Sequence, residues 1–383
     1  MRKKTVSILT TSHFEADGNR CIYGGAERYG IELTRLFLEL GWEVNWWQAG
    51  LNWTRQMLPG VTVHGIPAQE SFAQTCSSLN RAFNEQAGTV DLAIYFVTFL
   101  AYPTVLPKSV SISHGIFWDY PTWENRIGGG ELKEEWLHRM EKALYAPTRV
   151  VSVDTATINW ASWQWPALLN RFTYIPNFVD TAFFQPVGDE DKNDDKIRIL
   201  FPRRLTTVRG IGEAMKAATL LTERYPQVEF HFVGRGHNFQ HEKMMLNWAA
   251  ENENIYYYWR TPDGMKEIYQ NMDICLIPSK STEGTSLSCL EAMACGLPVI
   301  AGNIGGLPDL IIHQYNGLLI SPTADQLIEA LVYLIENKEV RLELGQKARE
   351  TSLNFDLVQW KKSWKKLINE VMSPERSEVK CHG

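Results

Sequence analysis

The stretch from residue 283 to residue 301 reads EGTSLSCLEAMACGLPVIA. Two glutamates, Glu283 and Glu291, stand on either side of a predicted change from loop to helix. Glycine, threonine and serine precede the helix, which suits a loop whose backbone approaches a ligand closely, and Ser286 is the predicted N-cap. The free N–H groups of a helix start carry a partial positive charge and bind phosphate or sugar oxygens. The stretch therefore predicts a pocket with anion-binding amides and two acceptor carboxylates, which suits a sugar nucleotide.

This segment resembles the Glu-seven-Glu signature of the retaining glycosyltransferases of family 4, and the resemblance covers nearly the whole chain. It implies an α/β fold with two Rossmann-like domains whose parallel sheets face each other across a cleft (the GT-B fold), and a C-terminal helix that returns to the N-terminal domain. It also implies that Glu291 binds the ribose hydroxyls of the donor. Glu283 is expected beside the donor sugar as a nucleophile or electrostatic stabiliser, and Gly284, Thr285, Ser286 and Leu287 are expected to bind the donor.

Strand-like apolar runs alternate with amphipathic helical runs in two series along the chain. The first series opens with Thr5–Thr10 and Ala26–Leu40, and the second opens with Ile197–Phe201. Such alternation predicts β-α-β units and a parallel sheet in each half. A length of 383 residues also suits about two domains.

The two series set the predicted domain boundaries. Residues 1–178 form an N-terminal Rossmann-like domain, which binds the acceptor in the resembled family, and a helix at 356–373 returns to it. Residues 179–196 are the predicted linker, because the run 185–196 is polar, charged and nearly devoid of core-forming residues. Residues 197–355 form a C-terminal Rossmann-like domain, which binds the nucleotide sugar in that family.

Composition excludes several other classes of protein. Lys plus Arg is 38 against 44 acidic residues, a net charge of −6, which argues against a nucleic-acid partner. The six cysteines are scattered without a C-x-x-C pair and predict free thiols in a reducing compartment. The apolar run near the N-terminus is too short for a signal peptide, and no run reaches the roughly 18 apolar residues of a membrane span. We therefore expect a cytoplasmic protein.

Two arginines follow the first strand of the second series, where ligands sit in open α/β sheets. The resembled family has Arg-Leu followed by Lys-Gly here, with both cations on the donor diphosphate. The resemblance therefore implies that Arg204 and Arg209 bind the diphosphate. Arg209 stands where lysine is usual, and this keeps the charge while changing its geometry. Solvation at the surface is the alternative for both.

Several residues at other strand ends match the family's donor site. Gly24 and Gly25 follow the first strand and resemble the glycine pair that approaches the donor phosphates. Gly234 resembles a glycine in the loop beside the nucleotide base. His114 ends a strand where the family places a histidine beside the donor sugar, and its imidazole could donate a hydrogen bond to developing charge. The resemblance thus makes Glu283, His114 and Arg204 the expected catalytic residues, with a structural histidine as the alternative for His114.

The acceptor side is expected in the N-terminal half, where aromatic residues cluster. Asp119, Trp118 and Trp123 are the predicted acceptor contacts. Aromatic faces stack on sugar rings, or dip into a membrane interface when the acceptor is lipid-linked, and ordinary core packing is the alternative. No metal site is expected, because the pair His237 and His241 lacks a third ligand at convincing spacing.

The sequence thus predicts a retaining, metal-independent hexosyltransferase without a cofactor. It would move sugar from a nucleoside diphosphate sugar, with UDP-sugar favoured, to a hydroxyl of a glycan, lipid-linked or small-molecule acceptor. Polysaccharide, glycolipid or glycoconjugate biosynthesis is the expected setting, with peripheral contact at the inner face of the membrane left open. Two alternatives remain: a non-catalytic sugar-nucleotide-binding partner subunit, and a sugar-nucleotide epimerase of the same architecture.

Overall fold

The computed structural model describes residues 2–22, 24–67, 72–116, 130–187, 195–236, 239–281 and 283–373. The N-terminal half is built on an eight-stranded sheet with the strand order β3-β4-β2-β1-β5-β6-β7-β8. Its strands are β1 (Thr5–Leu9), β2 (Glu43–Gly50), β3 (Thr54–Leu58), β4 (Val61–Pro67), β5 (Leu92–Tyr95), β6 (Ser109–Ser113), β7 (Arg149–Ser152) and β8 (Phe172–Tyr174). Its helices are α1 (Gly25–Glu39), α2 (Phe72–Gln86), α3 (Gly130–Tyr145) and α4 (Thr155–Gln164).

The C-terminal half contains a six-stranded parallel sheet with the strand order β11-β10-β9-β12-β13-β14. Its strands are β9 (Ile197–Phe201), β10 (Val228–Val233), β11 (Ile255–Tyr258), β12 (Ile274–Ile277), β13 (Val299–Gly302) and β14 (Gly317–Ile320). Its helices are α5 (Ile211–Arg224), α6 (Phe239–Ala250), α7 (Met265–Gln270), α8 (Leu287–Ala294), α9 (Ala324–Glu336) and α10 (Lys338–Ser352). The predicted α/β class and the paired sheets are confirmed.

The N-terminal sheet is parallel except at one edge. There β3 pairs with β4 in antiparallel fashion, which the alternation of strands and helices did not predict. Both faces of the sheet are covered, so adjoining strand residues can both be apolar. Trp46 is fully buried on one face and donates Nε1–H to Thr34 of α1 over 2.9 Å. Trp47 lies on the opposite face, with its ring 4.3 Å from that of His64.

A final helix, α11 (Leu357–Met372), packs on the N-terminal domain, as predicted. Asp356 caps it by accepting the N–H of Val358 over 2.8 Å. Trp364 is fully buried and donates Nε1–H to the hydroxyl of Tyr29 over 2.9 Å. Trp360 packs edge-on against the same tyrosine ring. The chain therefore leaves the N-terminal domain once and returns to it at its end.

The two chain crossings between the halves lie side by side. Val179 donates its N–H to the carbonyl of Phe355 over 2.9 Å and accepts the N–H of Leu357 over 3.0 Å. Val179 and Phe184 are both buried in a core of the C-terminal half. The first part of the predicted linker at 179–196 thus packs against the C-terminal half, and the bounds of the linker stay a prediction. Residues 185–187 and 195 are exposed, and 188–194 lie outside the described residues.

We expect Trp364→Ala to lower the free energy of unfolding by about 3–5 kcal/mol, because it removes a buried indole and its bond to Tyr29. Urea unfolding followed by tryptophan fluorescence and circular dichroism measures this. Trp163→Ala is the matched control, since Trp163 is 80% exposed, and it should change stability by less than about 0.5 kcal/mol. Equal small effects in both variants would contradict the anchoring role of α11.

Candidate functional site

The loop before α8 carries a buried carboxylate that three side chains hold. Glu283 is 7% exposed, and its Oε2 accepts hydrogen bonds from Arg203, Arg209 and, over 2.8 Å, Ser279. Burial by itself raises the pKa of Glu283, but the two guanidinium groups and the serine outweigh it, and the pKa is lowered. Glu283 is therefore a charged group at the centre of a cationic cluster.

Arg203 is the residue that the sequence reasoning missed. It is buried, and besides Glu283 it donates to the hydroxyls of Ser286 and Ser279 over 2.8 and 3.1 Å. The family pattern fits Arg204, yet it is Arg203 that turns toward Glu283 after β9. Arg209, the second predicted cation, does reach the cluster through its pair with Glu283. Two adjacent arginines at a strand end indicate a cation at this site. The sequence does not indicate which of the two side chains faces inward.

Ser286 occupies the N-cap position of α8, as predicted, but its side chain does not cap the helix. The hydroxyl accepts from Arg203 instead. A charged guanidinium is a stronger donor than a backbone amide, which accounts for this choice. The expected capping bond is therefore wrong.

Glu291 lies in α8 with both carboxylate oxygens engaged. Its Oε2 accepts the hydroxyl of Tyr269 over 3.0 Å, and its Oε1 accepts from Arg28 of α1. The residue is 2% exposed. Arg28 and Tyr269 were not predicted, although Arg28 stands only three positions after the predicted Gly25. The carboxylate expected to bind ribose is thus in contact with the N-terminal domain.

Arg204 points toward the N-terminal domain as well. A Cβ placed on Gly24 would lie within 2.4 Å of both its guanidinium and the carboxylate of Glu27, so both side chain ends border this glycine. A Cβ on Gly25 would lie 3.6 Å from Leu287. The predicted glycine pair and the residues predicted after β9 and before α8 are therefore neighbours across the domain boundary.

Thr285 joins the two halves rather than facing open space. It is fully buried, its hydroxyl donates to the carbonyl of Val153 over 2.7 Å, and it accepts the N–H of Asn177 over 2.8 Å. A hydroxyl has one hydrogen to donate. Its hydroxyl hydrogen is therefore already used between the two halves, and its expected contact with the donor stays a prediction.

His114 ends β6 next to the same loop. A Cβ on Gly284 would lie 3.0 Å from the carbonyl oxygen of His114. Its Nε2 lies 3.1 Å from the carbonyl of Phe96, which can only accept, so Nε2 carries the hydrogen. Burial lowers the pKa of His114 to about 4, against the opposing effect of that bond. The imidazole is neutral at pH 7, with Nε2–H already donated to Phe96 and Nδ1 available as an acceptor, and its expected place beside the donor sugar stays a prediction.

The remaining predicted residues divide into two groups. Gly234 lies directly against Arg203, whose carbonyl a Cβ on Gly234 would strike. The predicted acceptor contacts, Asp119, Trp118 and Trp123, lie outside the described residues, as does His237 of the rejected metal pair. Among the residues that the structure describes, no helix is long and apolar enough to cross a membrane.

Comparisons with known proteins agree with this geometry. Residues 187–351 match the family model described as glycosyl transferases group 1. An uncharacterized glycosyltransferase of Haemophilus influenzae is 28% identical over 352 residues, which cover 90% of this chain and 96% of that protein. The comparisons support a group 1 glycosyltransferase.

Solved structures show that the chain has the GT-B fold. WaaG, described as a glycosyltransferase involved in lipopolysaccharide biosynthesis, aligns with a TM-score of 0.76 at 14% identity, covering 96% of this chain and 100% of that one. HepE of Anabaena, solved in complex with UDP-glucose, aligns with a TM-score of 0.72 at 17% identity over 96% and 99% of the two chains.

Besides Glu283 and Glu291, a buried carboxylate follows β7. Asp154 is fully buried and caps α4 by accepting the N–H of Thr157 over 2.6 Å, while its other oxygen has no hydrogen-bond partner. Burial is the main reason that the pKa of Asp154 rises to about 6, and the neighbouring Asp309 adds to it. Asp309 itself accepts the N–H of Thr155 over 2.7 Å and so links the two halves.

We expect Asp154→Asn to stabilise the protein at pH 8 and to have almost no effect at pH 4. The folded carboxyl keeps its proton up to about pH 6, whereas the unfolded one loses it near the ordinary value of 3.8. The folded state therefore binds more protons between these values, and stability falls as pH rises through them. Asn caps a helix as well as Asp and carries no charge.

Thermal unfolding of both proteins from pH 4 to pH 8 measures the difference. The gain at pH 8 should be on the order of 1–3 kcal/mol, following the size of the pKa shift. Asp180→Asn is the control, because Asp180 also accepts backbone N–H groups but is exposed. A pH-independent difference for Asp154→Asn would contradict the raised pKa.

Proposed function

We propose that the chain is a retaining hexosyltransferase of family 4. It moves a hexose from a nucleoside diphosphate sugar, with UDP-sugar favoured, to an acceptor hydroxyl. The observation that carries the proposal is the cluster of Arg203, Arg209 and Glu283 before α8, with Glu291 of the same helix paired to Arg28 of the N-terminal domain. These groups follow the carboxyl ends of parallel strands, which is where open α/β sheets bind ligands.

The donor diphosphate is the group that this cluster suits best. Departure of the diphosphate concentrates negative charge on the leaving oxygen and leaves an oxocarbenium-like sugar. Arg204 and Arg209, together with the free N–H groups at the start of α8, supply preorganised positive charge for that oxygen. Since guanidinium groups neutralise the developing charge, we propose a reaction that needs neither metal nor cofactor. The family's stereochemistry places the attacking hydroxyl on the face that the diphosphate leaves.

Glu283 fits an electrostatic role better than a nucleophilic one. Its Oε2 already accepts three hydrogen bonds, two of them from guanidinium groups. A carboxylate neutralised in this way is a weak nucleophile, but it holds both arginines in one place. We propose that Glu283 fixes the cationic cluster beside the donor sugar, and that Nδ1 of neutral His114 accepts a hydroxyl of that sugar.

The acceptor side rests on the N-terminal domain in this proposal. Trp118, Asp119 and Trp123 follow β6 and His114 in sequence, so they remain the proposed acceptor contacts. A role in polysaccharide, glycolipid or glycoconjugate biosynthesis is supported by the likeness to WaaG, a glycosyltransferase involved in lipopolysaccharide biosynthesis.

The experiment that tests the proposal is incubation of the purified chain with a panel of nucleoside diphosphate sugars, with and without EDTA. Release of free nucleoside diphosphate, with product of unchanged anomeric configuration and no effect of EDTA, is the expected result. An altered sugar nucleotide without free nucleotide would indicate an epimerase instead. Binding without turnover of any donor would favour the non-catalytic partner subunit.

We expect Glu291→Gln and Glu283→Gln to affect different steps. Glu291→Gln should raise the donor KM or Kd about tenfold or more, because a buried acceptor for ribose loses its charge. Glu283→Gln should lower kcat by about two to three powers of ten with a smaller effect on donor Kd, since it weakens the hold on Arg209, which meets the leaving group, and on its neighbour Arg203. Steady-state kinetics and calorimetry separate the two effects. Glu336→Gln, an exposed ion-pair residue of α9, serves as the control, and wild-type activity in either site variant would count against the assignment.

A further inference from the structure

Two neighbouring residues in the first turn of α1 reach the charged side chains of the C-terminal domain. Glu27 and the guanidinium of Arg204 both border the space that a Cβ on Gly24 would occupy. Arg28 donates to Oε1 of Glu291. Arg28 and Glu291 form an ion pair across the domain boundary, and Glu27 lies close enough to Arg204 for the charge of the arginine to act on its carboxyl group.

We propose that this turn is an internal competitor of the donor: Glu27 stands against Arg204 in place of the diphosphate, and Arg28 covers Glu291 in place of the ribose hydroxyls. The inference rests on the proposed function, which gives Arg204 and Glu291 those parts of the donor. The donor then binds only when Glu27 and Arg28 of α1 have moved away from Arg204 and Glu291.

The first reason for this proposal is the restricted access to the carboxylate of Glu291. The side chain of Glu291 is 3% exposed, whereas that of Arg28 is 30% exposed and lies against it. Tyr269, the other partner of Glu291, is fully buried. Because the tyrosine closes the inner side, a ribose can reach this carboxylate only from the side that Arg28 covers.

The second reason for this proposal is the charge of Arg28 and of Glu27. Burial works against the charged form of Arg28, but Glu291 outweighs it, and the pKa of Arg28 is raised. The contact is therefore a charged pair, which a neutral ribose must replace. Burial raises the pKa of Glu27, and the charge of Arg204 acts against that rise. The ionised carboxylate has the sign of a phosphate and lies near the cation proposed to bind one.

The consequence is a lower apparent affinity for the donor. When only a fraction of the protein is open to the ligand, the apparent Kd equals the intrinsic Kd divided by that fraction. Weakening the internal contact raises the open fraction. A variant that lacks Arg28 should consequently bind the nucleotide more tightly than the wild type, which is the reverse of what loss of a donor contact does.

The experiment is calorimetric titration of the full chain with UDP, GDP and ADP. Arg28→Met keeps the aliphatic stem and removes the charge, and we expect its Kd for the nucleotide that binds to fall about three- to tenfold. Arg35→Met is the control on the same helix, because Arg35 pairs with Glu32 one turn away, and its Kd should match that of the wild type.

Weaker binding by Arg28→Met would show that Arg28 holds Glu291 in place for the donor, and an unchanged Kd would show that the contact is irrelevant to binding; either result overturns the inference. If Arg28→Met does not fold, Glu27→Gln tests the other half, with tighter binding expected and an unchanged or higher Kd overturning it. A wild-type protein that binds none of the three nucleotides contradicts the proposed function itself. Nucleotide binding by the wild type with no gain in the variants contradicts only the inference.

Discussion

The burial of one charge, the carboxylate of Glu283, organises the region where the two domains meet. A carboxylate removed from water is stable only when it is paired and hydrogen-bonded. Its partners, Arg203 and Arg209, come from the connection between β9 and α5, and Ser279 comes from the end of β12. Because β9 and β12 are neighbours in the sheet, their ends lie side by side and bring these partners to the carboxylate. The result is a rigid patch of positive charge at the start of α8.

The same loop also fixes the position of the N-terminal domain. Thr285 bonds to Val153 and Asn177, and the loop after β13 returns to Glu283 through the N–H of Gly306, which the carbonyl of Glu283 accepts over 2.8 Å. Gly305 adopts a positive φ of 53° there, and a Cβ on it would strike the Glu283 carbonyl. Strand ends from both sheets thus converge on one short segment. The binding of a ligand there would therefore depend on the relative position of both domains.

Helix α11 and the paired crossings complete this arrangement. The crossings bond to each other through Val179, and Arg349 of α10 donates to the carbonyls of Thr181, Phe184 and Ala294. Ala294 is the last residue of α8, where helix carbonyls carry a partial negative charge that a cation stabilises. The helix whose start faces the proposed donor is therefore held at its end by the crossing between the domains.

The sequence by itself determined the two α/β series, the parallel sheets, the returning helix and the loop-to-helix site at 283–291, because local periodicity and helix signals depend on neighbouring residues. Three contacts depend on the packed fold. Arg203 turns toward Glu283, the Ser286 hydroxyl accepts a hydrogen bond from Arg203 rather than from a backbone N–H of the helix, and Arg28 covers Glu291. The burial of Val179 and Phe184 belongs to the same group. For each of these side chains the partner lies more than about four residues away in the chain, beyond the reach of helix or strand periodicity, so only the packed fold selects among chemically similar candidates. The antiparallel strand β3 differs, because it pairs with the next strand, β4, across the short turn at 59–60.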